Sequence, residues 1–249
     1  MRQCPMRQQN GPHGSDAFTY STEDADAYGS LEIAGTSYEI GFDALAEKLG
    51  DLTGTRWLDF GAGAGRSSLF LRNLGAAFVV GVDHNFTMVK HANKQHVSRV
   101  AYALIGRTLP VANEAMDGAI SCNVYTEIPS KRDMVVASAE IYRVLKPSSQ
   151  FFIMTANPES IGHVYKSFPR TGSIEHLSSG SRVRCVITTP EGVVEVEDHY
   201  WTLDDYQDVL QAVGFEVRAT DTPTSLKDSF VGTDESIIGP FLILTCFKE

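Results

Sequence analysis

A glycine-rich loop between a buried strand and a helix constrains this chain more than any other feature. Residues 57–60 are apolar apart from Asp59, and a helical pattern follows over 67–74. Between them glycine occupies every second position, at Gly61, Gly63 and Gly65. Glycines let backbone approach a ligand closely, and the helix start offers unpaired N–H groups with partial positive charge. Together these segments predict the first half of a nucleotide-binding α/β unit.

The spacing of the glycines indicates which ligand fits. A dinucleotide fingerprint reads G-x-G-x-x-G, whereas this loop reads G-x-G-x-G and continues with Arg66. Asp59 stands directly before the loop, where a carboxylate repels a pyrophosphate and suits a cationic ligand without phosphate. The segment resembles the first motif, D/E-x-G-x-G-x-G, of the class I S-adenosylmethionine-dependent methyltransferases. For this segment alone, a glycine-rich turn without a ligand is the alternative.

Composition limits the class of protein. The 249 residues are 43% apolar, which suits either one large α/β domain or one domain with a small appendage. The sequence lacks both an apolar run of about 18 residues and a signal-peptide pattern, so we expect a protein without membrane spans. The four cysteines are widely spaced, which favours reduced thiols in a cytoplasmic protein over disulfides or a zinc site.

Charge limits the class of substrate. The net charge is −10, and lysine and arginine form no stripe along the sequence. Nucleic-acid binding needs clustered cations, so a small-molecule acceptor is favoured. The histidine spacing matches no metal motif, and we expect no metal site.

Strand and helix patterns alternate from residue 56 to 152 and resume after residue 200. Strands are predicted at 57–60, 78–83, 100–105, 118–122, 150–155, 215–219 and 241–247. Helices are predicted at 66–74, 88–94, 132–145 and 203–212. The pattern predicts a Rossmann-like, doubly wound, mostly parallel seven-stranded sheet whose last strand is antiparallel. Ligands bind such sheets at the carboxyl ends of the strands.

The remaining segments flank or interrupt this core, which we assign to residues 51–156 and 201–249. Residues 1–16 are polar and aperiodic and are predicted to be disordered. Residues 17–50 are predicted to form a helical lid. Residues 157–200 are predicted to hold a short helix at 159–168 and a hairpin with strands at 182–188 and 193–200. The hairpin either covers the substrate or pairs two copies of the chain in a homo-oligomer.

Three later segments resemble the same methyltransferase family. Residues 108–110 with 116–121 match an L-P-F…F-D-x-V-x-S stretch, residues 140–147 match E-x-x-R-V-L-K-P, and residues 201–215 match W-T…A-G-F. The resemblance covers about residues 56–247. It departs from the family where an acid often holds the adenine, because this chain has Ile105 there. Adenine would then depend on backbone groups and Ile105; an inactive cofactor site is the alternative.

The resemblance implies S-adenosylmethionine as cofactor and a set of residues that bind it. Asp83 would accept hydrogen bonds from the ribose hydroxyls, Asn123 would offer its carbonyl to the cofactor ammonium, and Arg66 would either contact the cofactor carboxylate or cap a helix. Met88 would lie near the adenine or else in the core. The full predicted set is Tyr28, Asp59, Gly61, Gly63, Gly65, Arg66, Asp83, His84, Met88, Ile105, Gly106 and Asn123.

Methyl transfer from a sulfonium is an in-line displacement that needs alignment and exclusion of water more than a catalytic triad. Tyr125 is predicted beside the methyl group, with an apolar wall residue as the alternative. Glu127 is a candidate proton acceptor or else a surface acid at a helix start. Tyr20 and Tyr28 either close over the cofactor or anchor the leading segment. A histidine of the insertion is a further candidate base.

These features predict methyl transfer from S-adenosylmethionine to nitrogen, or less favourably oxygen, of a small metabolite. The leading tyrosines, amphipathic helix and hairpin look similar to natural-product methyltransferases, including antibiotic N-methyltransferases, which favours a role in secondary metabolism. A nicotinamide-dependent oxidoreductase and a non-catalytic S-adenosylmethionine-binding protein are the alternatives.

Overall fold

The computed structural model describes residues 20–170 and 172–249, so the leader predicted to be disordered lies outside the described residues. Nine strands form in the described residues, seven in one sheet and two in a separate hairpin. They are β1 (Arg56–Phe60), β2 (Phe78–Asp83), β3 (Val100–Leu104), β4 (Met116–Cys122), β5 (Leu145–Ala156), β6 (Arg182–Thr189), β7 (Gly192–His199), β8 (Phe215–Asp221) and β9 (Phe241–Lys248).

The large sheet has the strand order β3-β2-β1-β4-β5-β9-β8. The first five strands pair in parallel, and β9 is antiparallel to both of its neighbours. Strand order reverses at β1, which lies between β2 and β4, and this is the switch point at which such sheets bind ligands. The predicted doubly wound sheet with an antiparallel last strand is therefore confirmed.

Six α-helices form in the described part of the chain. They are α1 (Thr22–Gly29), α2 (Ser37–Leu49), α3 (Arg66–Asn73), α4 (Phe86–Lys94), α5 (Lys131–Val144) and α6 (Leu203–Val213). Ser21 caps α1 and Thr202 caps α6, each in a capping box whose aspartate three residues later returns the hydrogen bond. None of these helices is long and apolar enough to cross a membrane.

Apolar side chains fill both faces of the sheet. Neighbouring residues of one strand belong to opposite faces: Phe152 packs on the side of α2 and α3, and Phe151 packs on the side of α5 and α6. Strands buried on both faces read as continuous apolar runs, which is why they were visible in the sequence. The carboxyl ends of β1, β2 and β4 are thereby fixed side by side.

The insertion differs in part from its prediction. The hairpin of β6 and β7 forms as predicted. The helix predicted at 159–168 is wrong, because only one 3-10 turn, Pro158–Ser160, is present. Gly162 has a φ of +90° and its N–H donates to the carbonyl of Arg170, so the chain folds back on itself instead of continuing a helix. This returning loop carries Arg170 into the interior.

Candidate active site

The loop after β1 requires glycine because it touches the loop after β4. Gly61, Gly63 and Gly65 all have positive φ, the region that glycine adopts without strain. A Cβ added to Gly61 would lie 2.1 Å from Cγ2 of Val124. The Val124 side chain therefore packs directly on the Gly61 backbone, and this contact joins the two loops at the switch point.

Asp83 ties together the loops after β1 and β2. Its Oδ2 accepts a hydrogen bond from the Gly63 N–H at 2.8 Å, and its Oδ1 accepts one from the Asn85 N–H at 2.8 Å. The residue is 7% exposed. These two contacts fix the carboxylate at the sheet edge, at the position predicted to face a ribose.

Asp59 is fully buried beside the first turn of α3. Its Oδ2 accepts hydrogen bonds from the hydroxyls of Ser67 at 2.7 Å and Ser68 at 2.5 Å. Burial raises the pKa of Asp59 to about 6. Its Oδ1 has no hydrogen-bond partner among the described residues. An orphaned carboxylate oxygen at the glycine loop fits a cofactor that carries an ammonium group.

A cavity of about 340 Å³ lies at the carboxyl ends of β1, β2 and β3 and against the start of α5. Of the predicted cofactor-binding residues, four line it: Gly61, His84, Ile105 and Gly106. Phe60, Leu109 and Val124 add apolar wall. Met88 is not in this wall, because its side chain, 2% exposed, is buried in the core. The residues present therefore fit an adenosyl group, with Ile105 and backbone replacing the acid seen in the family.

A second, smaller cavity of about 30 Å³ lies between the sheet edge, α1, α2 and the hairpin. Its polar lining residues are Tyr28, Asn123, Thr126, Glu127, Arg170 and Asp198. Its apolar lining includes Tyr38, Phe168, Ile187, Val196 and Phe241. Asn123 follows β4 with a φ of +59°, which turns the chain toward this cavity.

Glu127 lines both cavities and so stands at their boundary. One of its carboxylate oxygens accepts a hydrogen bond from the Tyr20 hydroxyl at 3.2 Å. Burial, followed by the nearby carboxylates of Asp198 and Asp83, raises the pKa of Glu127 to about 8. The alternative of a helix-starting surface acid is wrong, because α5 begins only at Lys131 and Glu127 faces the interior. The position is suited to proton transfer.

Arg170 and Asp198 form a buried ion pair that the sequence analysis missed. The Arg170 Nη2 lies 3.3 Å from the Asp198 Oδ2, and both side chains are at most 6% exposed. Burial raises the pKa of Asp198, and the Arg170 cation opposes that rise. The signal for Asp198 was the alternation of β7, which places it on the same inward face as Val194 and Val196. Arg170 sits in an irregular loop, where no such period exists.

Arg66 fastens the N-terminal segment and lines neither cavity. Its Nε donates to the carbonyl of Leu31 at 3.0 Å and its Nη2 to that of Tyr28 at 2.7 Å. Its guanidinium also stacks 4.8 Å from the Tyr28 ring centroid. Two of the three guanidinium nitrogens are thus bonded to backbone carbonyls, and a contact between Arg66 and a cofactor carboxylate stays a prediction. Its role here is to hold α1 and the residues that follow it.

Tyr125 does not lie beside either cavity. It is fully buried among Phe151, Tyr206 and their neighbours, and its hydroxyl lies 2.7 Å from the Ser138 Oγ. The side chain points away from the site into the layer of α5 and α6. The prediction that Tyr125 contacts the methyl group is therefore wrong, and Tyr125 packs in the core.

His199 is the histidine of the insertion that reaches the large cavity. It is 7% exposed, and its Nδ1 has no hydrogen-bond partner among the described residues. His163 instead lies 3.3 Å from the Asp234 carboxylate, away from both cavities. His199 is thus a second group with proton-accepting capacity at the site.

The doubly wound sheet with a cavity at its switch point is the architecture of α/β proteins that bind ligands at the carboxyl ends of their strands. Residues 58–153 match a family model described as a methyltransferase domain. A curated N-demethylindolmycin N-methyltransferase from Streptomyces griseus is 27% identical over 180 residues, covering 69% of this chain and 74% of that protein.

Solved structures share the fold. A putative S-adenosylmethionine-dependent methyltransferase from Listeria monocytogenes has a TM-score of 0.62 at 19% identity, covering 88% of this chain and all of that chain. The (4+2)-cyclase SpnF has a TM-score of 0.61 at 18% identity, covering 94% and 99%. The match over residues 58–153 and these similarities support a class I S-adenosylmethionine-dependent methyltransferase over the nicotinamide-dependent alternative. The cyclase neighbour illustrates that the fold alone does not fix the reaction.

Proposed function

We propose that the protein methylates a nitrogen atom of a small metabolite of secondary metabolism, using S-adenosylmethionine. The observation that carries this proposal is Glu127, the acid that lines both the cofactor-side cavity and the small cavity. The name of the Streptomyces griseus relative, an N-methyltransferase, supports the same choice of atom. The hairpin would cover the acceptor, and pairing of two copies through it stays a prediction.

The proposed chemistry needs a nitrogen lone pair at the moment of attack. An amine arrives largely as its ammonium ion, and the ionised form of Glu127, whose share grows as pH rises toward its pKa of about 8, takes one proton from it. The carbon–nitrogen bond then forms as the carbon–sulfur bond breaks, and the positive charge passes from sulfur to nitrogen. S-adenosylmethionine supplies the activated methyl group when bound. The surrounding side chains align the partners and exclude water.

The raised pKa of Glu127 favours nitrogen over an aliphatic hydroxyl oxygen as the acceptor. A carboxylate with a pKa of about 8 is more basic than usual, and this pKa is closer to that of an ammonium ion than to that of an alcohol. Deprotonating an aliphatic hydroxyl would require a much stronger base, whereas a phenol has a pKa close to that of an ammonium ion and is tested directly below. Among the described residues that line the cavities, His84 and His199 also carry ring nitrogens, and the Nδ1 of His199 is buried without a hydrogen-bond partner.

Binding of the cofactor is tested by isothermal titration with S-adenosylmethionine, S-adenosylhomocysteine and NADH. We expect the two adenosyl compounds to bind and NADH not to bind. Asp83→Asn should lower the binding affinity for both adenosyl compounds about ten- to a hundredfold, because it removes a charged hydrogen-bond acceptor. Asp43→Asn on the exposed side of α2 is the control. Equal affinities for wild type and Asp83→Asn would remove the ribose assignment.

Activity is tested by transfer of a labelled methyl group to a panel of amines and phenols that includes N-demethylindolmycin. Glu127→Gln should lower kcat about a hundredfold or more with little change in KM, since proton transfer is lost and binding is kept. Tight cofactor binding without transfer to any compound would support the non-catalytic alternative. Transfer to phenols alone would overturn the assignment to nitrogen.

A further inference from the structure

The small cavity contains a buried cation, Arg170, two of whose nitrogens have no hydrogen-bond partner among the described residues. Arg170 is 2% exposed and its guanidinium contributes to the cavity wall. Within residues 20–170 and 172–249, nothing accepts a hydrogen bond from its Nε or its Nη1. Leaving such donors unsatisfied in the interior is costly, so native proteins rarely do so without a ligand or water.

What Arg170 lacks is a hydrogen-bond acceptor and not a counter-charge. Its charge is already compensated by Asp198, whose carboxylate lies 3.3 Å away. Burial raises the pKa values of Asp198 and Glu127, which line the same cavity, so this site already resists negative charge. A ligand carboxylate would add one more buried negative charge to the cavity, whereas a neutral oxygen would accept hydrogen bonds from the free N–H groups without adding charge.

The size and walls of the cavity describe the group that enters it. A volume of about 30 Å³ accommodates one small polar group but not a whole metabolite. Thr126 adds a hydroxyl to the cavity wall that has no hydrogen-bond partner among the described residues. Aromatic rings surround these polar groups, with Tyr38 and Phe241 at 5.5 Å between ring centroids. The polar end of a flat, apolar molecule fits such walls.

We propose that this cavity recognises the methyl acceptor by a neutral carbonyl oxygen, which Arg170 holds through its free N–H groups while the acceptor nitrogen lies at Glu127. The acceptor class is thus an amine that carries an amide, lactam or ketone carbonyl close to its nitrogen. This inference rests on the proposed function and assigns Arg170 as a specificity residue for it.

The test compares three probes that share one skeleton and one amine. Phenylalaninamide carries a neutral carbonyl, phenylalanine a carboxylate and phenethylamine neither. Their binding is measured by isothermal titration to the full chain saturated with S-adenosylhomocysteine. We expect phenylalaninamide to bind about ten- to a hundredfold more tightly than phenethylamine, the range for hydrogen bonds to a charged group. Equal binding of the three, tighter binding of phenylalanine, or no binding of phenylalaninamide would overturn the proposal.

Two variants separate recognition from stability. Arg170→Lys keeps the charge beside Asp198 but loses the guanidinium fork, so the preference for the amide should fall to near unity. Asp198→Asn keeps the shape but removes the compensating charge, so the preference should move toward phenylalanine. Arg184→Lys, on the exposed face of the same hairpin, should leave all three affinities unchanged. An unaltered preference in both cavity variants would contradict the role of Arg170.

The wild-type comparison needs no variant to fold, so it decides the inference even if Arg170→Lys is unstable. Failure of the proposed function looks different. If S-adenosylhomocysteine does not bind, the cofactor assignment is lost. If S-adenosylhomocysteine binds, and amines with and without a carbonyl are methylated equally well, only the inference about Arg170 is refuted.

Discussion

Replacing Glu127 by glutamine should stabilise the fold by an amount that grows with pH. Glu127 has a pKa of about 8 in the folded protein against an ordinary value of 4.5. The folded state therefore keeps a proton that the unfolded chain releases between these two pH values, and wild type loses stability as pH rises from 4.5 to 8. Glutamine carries no ionisable proton and escapes this loss.

The magnitude follows from the two pKa values. One pKa unit corresponds to about 1.4 kcal/mol, so Glu127→Gln should gain about 1 kcal/mol at pH 5 and about 5 kcal/mol at pH 9. Water entering the cavity solvates the carboxylate, which makes the second value an upper limit. Because total stabilities are about 5–15 kcal/mol, a difference of this size is measurable.

The assay is urea unfolding of both proteins at pH 5, 7 and 9. Glu140→Gln is a matched control from the rim of the large cavity, where Arg143 lowers the pKa of Glu140. The stability that Glu140 contributes is present above its ordinary pKa and is lost as pH falls through its lower pKa in the folded state. Glu140→Gln should therefore be destabilised equally at pH 7 and pH 9. A constant difference between wild type and Glu127→Gln over the whole range would refute the reasoning.

Two further predictions test the loops and the corrected tyrosine. Gly61→Ala should destabilise the protein about 1–3 kcal/mol more than Gly35→Ala in thermal unfolding, because both have positive φ but only Gly61 would clash with Val124; equal losses would show that the loops part freely. Tyr125→Phe should cost about 1 kcal/mol through the lost hydrogen bond to Ser138 and leave kcat unchanged, and a large fall in kcat with unchanged stability would restore Tyr125 to the site.

The sheet was predictable because each of its inner strands is an apolar run bounded by turn residues. Residues 57–60 and 78–83 were predicted within one residue of the strands that form. The glycine loop was predictable for a related reason, since glycine marks backbone that a side chain would obstruct. These signals are local, and the sheet is assembled from local patterns.

The small cavity was not predictable in the same way, because its polar groups converge from distant segments. Arg170 comes from a loop without periodicity, and Asp198 comes from a hairpin strand far along the chain. Even Glu127, a candidate from the start, showed no local sign that it faces inward. The prediction for Tyr125 was wrong for a related reason. The direction in which its side chain points depends on the turn made by Asn123, which the sequence does not reveal. Tertiary placement decided each case.

Arg66 links the glycine loop to the segment at the end of α1. It is the first residue of α3, directly after Gly65, and its guanidinium holds the carbonyls of Tyr28 and Leu31 at the end of α1. A ligand that steadies the glycine loop therefore also steadies the segment that closes the small cavity. Thermodynamic linkage makes such coupling reciprocal. If binding of the cofactor raises the affinity for the acceptor by some factor, binding of the acceptor would raise the affinity for the cofactor by the same factor.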